Sequence, residues 1–226
     1  MRIAVLTGAG ISRESGLQTF RDGDGLWEGH RVEHVATPEA WTRDPVQVLQ
    51  FYDQRRSDVL AAQPNAGHAA LAKLESKHDV TVITQNIDDL HERAGSSRVI
   101  HLHGEVLKVR SVRNENLVLE WRSDLALGDL GPDGAQLRPH IVWFGEGVME
   151  TEEAWQAAEE ADVFIVCGTS LQVQPAASLI DWTRASEAFL IDPRPTRTTR
   201  RHGLLEVISL NASEGVPLVV SRLLGV

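Results

Sequence analysis

The stretch that decides the fold is Ile3-Ala4-Val5-Leu6-Thr7-Gly8-Ala9-Gly10-Ile11-Ser12. Its first four residues form a short apolar run, which is typical of a parallel strand buried on both faces. Gly8 and Gly10 follow, and glycines permit a tight turn that brings backbone N–H groups close to an anion. In a parallel sheet this turn lies at the carboxyl edge, where ligands bind. The stretch predicts a nucleotide-binding turn, with an ordinary turn between strand and helix as the alternative.

Short apolar runs alternate with helix-like stretches along the rest of the chain. Further strands are predicted at residues 80–83, 99–102, 163–166 and 189–191, and helices at 39–60, 68–76, 88–93, 151–160, 176–185 and 217–226, the last with Pro217 in its first turn. This alternation predicts an α/β fold built on a doubly wound parallel sheet. Two stretches interrupt it, so a small inserted lobe is expected at about 22–62 and 106–139. The sheet part of the single 226-residue unit is then about 1–21, 63–105 and 140–226.

The composition excludes several classes of protein. Lys and Arg total 22 against 32 Asp and Glu, giving a net charge of −10, so no nucleic-acid partner is expected. No apolar run approaches the roughly 18 residues of a membrane span, and the N-terminus reaches the glycine turn too early for a signal peptide. A cytoplasmic protein without a membrane partner is therefore expected, and we expect it to be a monomer.

Polar clusters follow two further predicted strands. Thr84-Gln85-Asn86-Ile87-Asp88 ends one strand, and Cys167-Gly168-Thr169-Ser170 ends another. Because the carboxyl ends of parallel strands share one edge, these clusters are expected to converge on the glycine turn. Amides, hydroxyls and a carboxylate suit ribose and carboxamide groups better than a triphosphate, and no Walker lysine follows the turn.

Several motifs together resemble the signature set of the sirtuins. They are Gly8-Ala9-Gly10-Ile11-Ser12, Thr19-Phe20-Arg21, Thr84-Gln85-Asn86-Ile87-Asp88, His101-Leu102-His103-Gly104, Arg138-Pro139-His140-Ile141-Val142-Trp143-Phe144-Gly145-Glu146 and Gly168-Thr169-Ser170-Leu171. Their order and spacing match over almost the whole chain. The resemblance implies a Rossmann-like domain that binds NAD, a small lobe, and an acyl-lysine tunnel between them. It also implies acyl-lysine proteins or peptides as partners.

The resemblance carries over site residues one by one. The implied NAD-binding residues are Gly8, Ala9, Gly10, Ile11, Ser12, Phe20, Arg21, Trp27, Gln85, Asn86, Ile87, Asp88, Gly168, Thr169, Ser170, Asp192, Pro193, Arg194 and Ala212. The implied catalytic residues are His103, Asn86 and Asp88, and Val142, Phe144 and Gly145 would pair with the peptide. His103 would be the general base that activates a ribose hydroxyl, and the products would be free lysine, nicotinamide and O-acyl-ADP-ribose.

Two histidines near this strand end also have plainer readings. His101 and His103 share one face, where a histidine is usually a satisfied polar residue, and an alternating pair can hold a metal.

Tyr52 and Arg55 indicate which acyl group is removed. Their i, i+3 spacing puts a phenol and a guanidinium on one helix face, where together they would clamp a small carboxylate. The same Tyr-x-x-Arg resembles the bacterial-type desuccinylase and demalonylase subgroup. Removal of succinyl and malonyl groups is expected, with deacetylation as a secondary activity. The alternative is a surface arginine beside a core aromatic. Asn65, in a further stretch similar to that subgroup, is read first as a helix cap.

The zinc-binding pattern of the family is missing here. Sirtuins commonly bind one structural zinc with four cysteines, but residues 106–139 contain none, and Ser111 stands about where the first would be. Cys167 is the one cysteine of the chain, so no metal is expected. We expect an apolar cluster of residues 117–121 with Leu125, Leu127 and Leu130 to stabilise this region instead.

Two smaller departures concern the nucleotide. Asp192 stands where the family usually has Asn, and Asn211 where it often has Gly. Because a carboxylate accepts but does not donate, and repels a phosphate, NADP is expected to be excluded.

Three rival functions stay open at this point. The chain could hydrolyse NAD or transfer ADP-ribose without deacylating lysine, or it could bind NAD as a sensor without turnover. An ordinary dehydrogenase is less consistent with the motifs, since no substrate domain for one is identifiable. Residues 142–145 favour a peptide partner that adds as a strand, and His103, Asn86 and Asp88 together speak against the sensor.

Overall fold

The computed structural model describes residues 1–18, 26–27, 30–149, 151–195 and 202–226. Its strands are β1 Arg2–Thr7, β2 Leu26–Trp27, β3 His30–Arg31, β4 Asp79–Thr84, β5 Val99–His101, β6 Gly104–Ser111, β7 Val118–Glu120, β8 Leu137–Ile141, β9 Val163–Cys167, β10 Glu187–Ile191 and β11 Leu204–Ile208. Its α-helices are α1 Val32–Val35, α2 Pro38–Arg43, α3 Pro45–Ala61, α4 Ala66–Leu74, α5 Leu90–Ala94, α6 Thr151–Glu160, α7 Leu179–Trp182 and α8 Ala212–Leu224, with 3₁₀ turns at Arg13–Ser15 and Ala176–Ser178.

Six parallel strands form the central sheet, in the order β11-β10-β9-β1-β4-β5. The chain runs outward from β1 through β4 and β5 on one side, and through β9, β10 and β11 on the other. The strand order therefore reverses between β1 and β9, which is the switch point where doubly wound sheets bind ligands. The predicted α/β fold with a doubly wound parallel sheet is confirmed.

Helices cover both faces of this sheet because successive side chains of each strand point to opposite sides. Ile3 and Val5 of β1 pack with α4 and α8 in one core cluster. Ala4 and Leu6 pack with α6 and α7 in the other. Burial on both faces explains why the predicted strands are mostly apolar.

A smaller antiparallel sheet of order β7-β6-β8 lies beside the helices α1 to α3. Tyr52 and Phe51 of α3 pack with Val106 of β6 and Ile141 of β8 in a third core cluster. This part contains the stretches that interrupted the sequence alternation. Its division from the main sheet at residues 22–62 and 106–139 stays a prediction.

The apolar cluster expected in the cysteine-free region is only partly right. Leu125 is buried with Leu49, Val109 and Leu137, and Leu119 and Trp121 pack against this group. Leu127 and Leu130, however, are 51% and 57% exposed and do not belong to this buried group. The cluster is completed by β6, β8 and α3, which are distant in sequence.

Three helix boundaries differ from the sequence expectation. The helix expected at 39–60 is two helices, because the Asp44 side chain accepts a hydrogen bond from Gln47 N at 3.0 Å and Pro45 begins α3. The helix expected at 176–185 is a 3₁₀ turn followed by the short α7. The closing helix begins at Ala212, so Pro217 lies inside it rather than in its first turn. Among the described residues, the helices are too short or too polar to span a bilayer.

Candidate active site

The turns after β1 and β9 pack directly against each other at the switch point. Gly8 N donates to Cys167 O at 3.0 Å, and Gly10 N donates to Gly168 O at 2.8 Å. A Cβ atom on Gly10 would lie 2.6 Å from Gly168 Cα, and one on Gly8 would lie 2.7 Å from Thr169 Cβ. These glycines therefore allow close packing of two turns. Their N–H groups, expected from the sequence to face an anion, are already bonded to backbone carbonyls.

A cavity of about 290 Å³ opens beside these turns. Its wall includes many of the residues predicted to bind NAD, to catalyse or to bind substrate: Ala9, Ser12, Trp27, Tyr52, Arg55, Gln85, Asn86, Ile87, Asp88, His103, Val142, Phe144 and Gly145. The wall also includes Trp143 and Glu146, which the sequence placed in the peptide-pairing motif, and residues that the sequence did not indicate, among them Asp58, Val148 and Gln174. Asp58 has the one available signal, since it follows Arg55 at helical spacing.

The other predicted residues lie outside the wall. Gly8, Gly10 and Ile11 are in the turn after β1, Gly168, Thr169 and Ser170 follow β9, Asp192, Pro193 and Arg194 follow β10, and Ala212 begins α8. The turns follow neighbouring parallel strands, so they share the carboxyl edge of the sheet. Phe20 and Arg21 lie outside the described residues.

Ser12 joins the glycine turn to the segment after β4. Its hydroxyl donates to Asp88 Oδ2 at 2.9 Å and accepts from Asn86 Nδ2 at 3.1 Å. Burial raises the pKa of Asp88, although hydrogen bonds from Leu90 N and Ser12 oppose this shift. The three side chains, each less than 7% exposed, hold one another in place on the cavity wall.

His103 is arranged to act as a base. Its Nδ1 lies 2.9 Å from Gln85 O, and because a carbonyl only accepts, Nδ1 carries the proton. Nε2 therefore has the lone pair. Burial lowers the pKa of His103, while the Gln85 hydrogen bond raises it, and the net shift is downward. A neutral imidazole that lines the cavity is suited to accept a proton near pH 7.

His101 has the opposite state although it is two residues away. Its Nδ1 lies 3.1 Å from Asn86 O and its Nε2 lies 2.7 Å from Glu92 Oε1, so both nitrogens face acceptors. Burial lowers the pKa of His101, but the hydrogen bond and charge of Glu92 outweigh it and the pKa is raised. His101 therefore fits the non-catalytic alternative, a histidine whose hydrogen bonds are satisfied within the protein.

The hypothesis that His101 and His103 together bind a metal ion has little structural support. Their Nδ1 atoms bond to different carbonyls. His101 does lie with Glu92 and Glu105 in a group whose donor atoms are within 4.8 Å of one another. The Lys108 ammonium, 2.7 Å from Glu105 Oε2, already places a cation beside that group. That the chain holds no metal stays a prediction.

Gln85 offers the clearest fit to a nucleotide. Its Oε1 accepts from Thr169 Oγ1 at 3.0 Å, while its Nε2 is buried with no hydrogen-bond partner among the described residues. Such a donor costs free energy unless a ligand satisfies it. A ribose hydroxyl or a carboxamide oxygen would do so, which agrees with the chemistry expected at this edge.

The segment after β8 is held by a partly buried ion pair. Arg138 donates to Glu146 Oε1 at 2.7 Å and Oε2 at 3.0 Å, and its guanidinium lies 3.4 Å from the centre of the Trp143 ring. Glu146 Oε2 also accepts from Trp143 N at 2.8 Å. Burial raises the pKa of Glu146, but the Arg138 hydrogen bonds and the Trp143 N–H outweigh it, so the pKa lies below its usual range.

Some backbone N–H groups of residues 142–145 already form hydrogen bonds within the protein. Val142 N donates to His103 O and Phe144 N donates to Ala36 O, each at 3.0 Å. A peptide that adds as a strand would therefore use other backbone groups of residues 142–145, a restriction the sequence did not indicate.

Tyr52 and Arg55 both line the cavity wall. Their surroundings, however, differ from the simple carboxylate clamp expected from the sequence. Tyr52 is fully buried, and among the described residues its hydroxyl has at most a weak hydrogen bond, to the Trp143 side chain. Burial raises its pKa well above the usual range. Arg55 donates to Asp58 Oδ2 from Nε at 3.2 Å and from Nη2 at 2.7 Å.

Asn65 caps α4, as expected, and does more. Its Oδ1 accepts from Gly67 N at 2.9 Å, and its Nδ2 donates to Ile11 O at 2.7 Å and Ser15 Oγ at 3.0 Å. This single side chain therefore fixes α4 to the glycine turn. A capping motif in the sequence shows the first role but not the second.

A glycine turn at the switch point of a doubly wound sheet, beside a cavity with a neutral histidine, defines a nucleotide-using α/β enzyme. The Sir2 family model matches residues 8–175. The chain therefore belongs to the Sir2 family, and the resemblance to sirtuins is confirmed.

Relatives and solved structures agree with this assignment. The chain is 52% identical over 223 residues to an NAD-dependent protein deacylase of Bacteroides thetaiotaomicron, covering 95% of this chain and 94% of that protein. It is 55% identical over 195 residues to one of Helicobacter pylori, covering 85% and 84%. It is also similar to a crystal structure of a Sir2 homologue in complex with NAD, at 41% identity and a TM-score of 0.86, covering 99% of this chain and 89% of that one.

Proposed function

We propose that this protein removes acyl groups from lysine side chains of proteins and consumes NAD as co-substrate. The main support for this proposal is that one cavity is lined by the glycine turn, by residues 85–88, by His103 and by residues 142–145. Relatives at about half identity over most of the chain bear the name of this activity.

The residues on the cavity wall have different proposed roles in binding NAD and in catalysis. Ser12, Asn86 and Asp88 form a rigid polar group that would bind the ribose next to nicotinamide. Gln85 Nε2 would donate to the bound nucleotide. NAD, when bound, supplies the ribose that accepts the acyl group. His103 Nε2 would then take the proton of a ribose hydroxyl, because its Nδ1 is committed to Gln85 O.

Acyl groups that end in a carboxylate, succinyl and malonyl, are proposed as substrates beside acetyl. Arg55 supports this because its guanidinium, only 10% exposed, forms part of the cavity wall. A buried guanidinium favours a carboxylate over a neutral methyl group. Tyr52 lies one helical turn away and would narrow the same part of the wall.

We further propose that the protein works without a structural zinc. Cysteine ligands are missing from residues 106–139. Ser111 donates to Asp133 Oδ2 at 2.6 Å and accepts from Arg113 N at 3.0 Å, which ties the loops around β7 together. The core group around Leu125 adds apolar burial.

The test is incubation with NAD and two peptides that differ only in acetyl or succinyl on one lysine, with peptide mass and nicotinamide followed together. NAD-dependent acyl loss is expected, with at least a hundredfold lower kcat in His103→Ala. Arg55→Met is expected to weaken succinyl removal more than acetyl removal. Acyl loss that continues without NAD would refute the proposal.

A further inference from the structure

Asp58 lies where the carboxylate of an acidic acyl group would bind Arg55. Both residues are on α3 at i, i+3 spacing and both line the cavity. Asp58 Oδ2 accepts two hydrogen bonds from the guanidinium, at 3.2 Å from Nε and 2.7 Å from Nη2. One donor edge of Arg55 is therefore already paired with a carboxylate of this chain.

The pair is held from both sides. Gln54 Nε2 donates to the other Asp58 oxygen at 2.8 Å. The guanidinium carbon of Arg55 lies 5.1 Å from the centre of the Phe51 ring, and the Arg55 side chain is only 10% exposed. Asp58 is 36% exposed, so its carboxylate stays partly hydrated while it is paired with Arg55.

We propose that Asp58 determines acyl specificity by competing with the acyl carboxylate for Arg55. This inference rests on the proposed function, because it concerns the same cavity. A succinyl carboxylate must either displace Asp58 or bind beside it. Two carboxylates about 5 Å apart at a partly exposed site repel each other enough to lower affinity about tenfold. A neutral acetyl group carries no such penalty, so Asp58 shifts the enzyme from acidic toward neutral acyl groups.

The experiment compares Asp58→Asn with the unchanged protein. Affinities for acetyl-lysine and succinyl-lysine peptides of one sequence are measured by calorimetry without NAD, and kcat/KM for both peptides is measured with NAD. We expect the succinyl-to-acetyl ratio to rise about tenfold in each measurement. Asp58→Glu, which retains the charge, is expected to leave the ratio low. Glu33→Gln, an equal charge change on the exposed face of α1, controls for net charge.

A second comparison, made in the Arg55→Met variant, distinguishes competition for Arg55 from a general change in helix α3. In Arg55→Met, replacement of Asp58 by Asn is expected to raise the ratio by clearly less than tenfold, because the cation that brings both carboxylates to one place is gone. A ratio that stays constant or falls in Asp58→Asn alone would overturn the inference, since Asp58 would then position Arg55 instead of competing for it. Peptide binding that shifts as expected without any turnover would support the inference while contradicting the proposed deacylation.

Discussion

Gly10→Ala tests whether the glycine turn is required for packing or for approach of the nucleotide. A Cβ atom at this position would lie 2.6 Å from Gly168 Cα and 2.7 Å from Gly168 O, both backbone atoms that cannot rotate away. The two turns would have to separate and lose the 2.8 Å hydrogen bond from Gly10 N to Gly168 O. Overpacking together with that bond corresponds to about 3 kcal/mol of lost stability.

The assay for this variant is thermal unfolding followed by NAD titration. For a chain of this length, about 3 kcal/mol lowers Tm by roughly 6 to 12 °C. Gly147→Ala is the matched control, because no atom of the described part of the chain lies within 4 Å of its Cβ position, and its Tm is expected to change by less than about 2 °C. If Gly10→Ala keeps its Tm and loses only NAD affinity, the packing argument is refuted.

Three further predictions concern the proposed catalytic base, the ion pair of Glu146 and the buried Leu125. The acid limb of kcat/KM is expected below pH 6.5, because burial lowers the pKa of His103 and its neutral form is the base; a limb above that pH would contradict this assignment. Glu146→Gln is expected to cost about 2 kcal/mol in urea unfolding at pH 7. The wild-type advantage should disappear as pH falls below the usual carboxyl range, since the Glu146 pKa is depressed in the fold; an advantage unchanged at low pH would contradict this. Leu125→Ala is expected to cost about 3 kcal/mol and Leu127→Ala under about 0.5, and equal costs would contradict the burial pattern.

The sheet was predictable because its strands are buried on both faces. Four-residue apolar runs such as Ile3 to Leu6 indicate such strands without further information. β11 escaped prediction because it lies at the sheet edge, where Leu204 is 76% exposed and Glu206 interrupts the apolar run. The break at Asp44 was visible as a cap followed by proline, but the apolar spacing on either side favoured one long helix.

The site was predictable in its members more than in its contacts. Motifs pointed to Asn86, Asp88 and His103, and the structure brings these three together on one cavity wall. The separate protonation of His101 and His103 depends on which carbonyl or carboxylate faces each nitrogen, and that is set by the tertiary fold. The pairing of Arg55 with Asp58 depends in the same way on side-chain rotamers that spacing alone does not determine.

The most direct test of the central claim is the ratio of nicotinamide released to lysine freed, measured by chromatography and peptide mass in one reaction. One nicotinamide is expected for each acyl group removed, and neither product in the absence of the other. Release of nicotinamide with both acyl-peptides unchanged would contradict the account and would identify the protein as an NAD hydrolase or as a transferase with another acceptor.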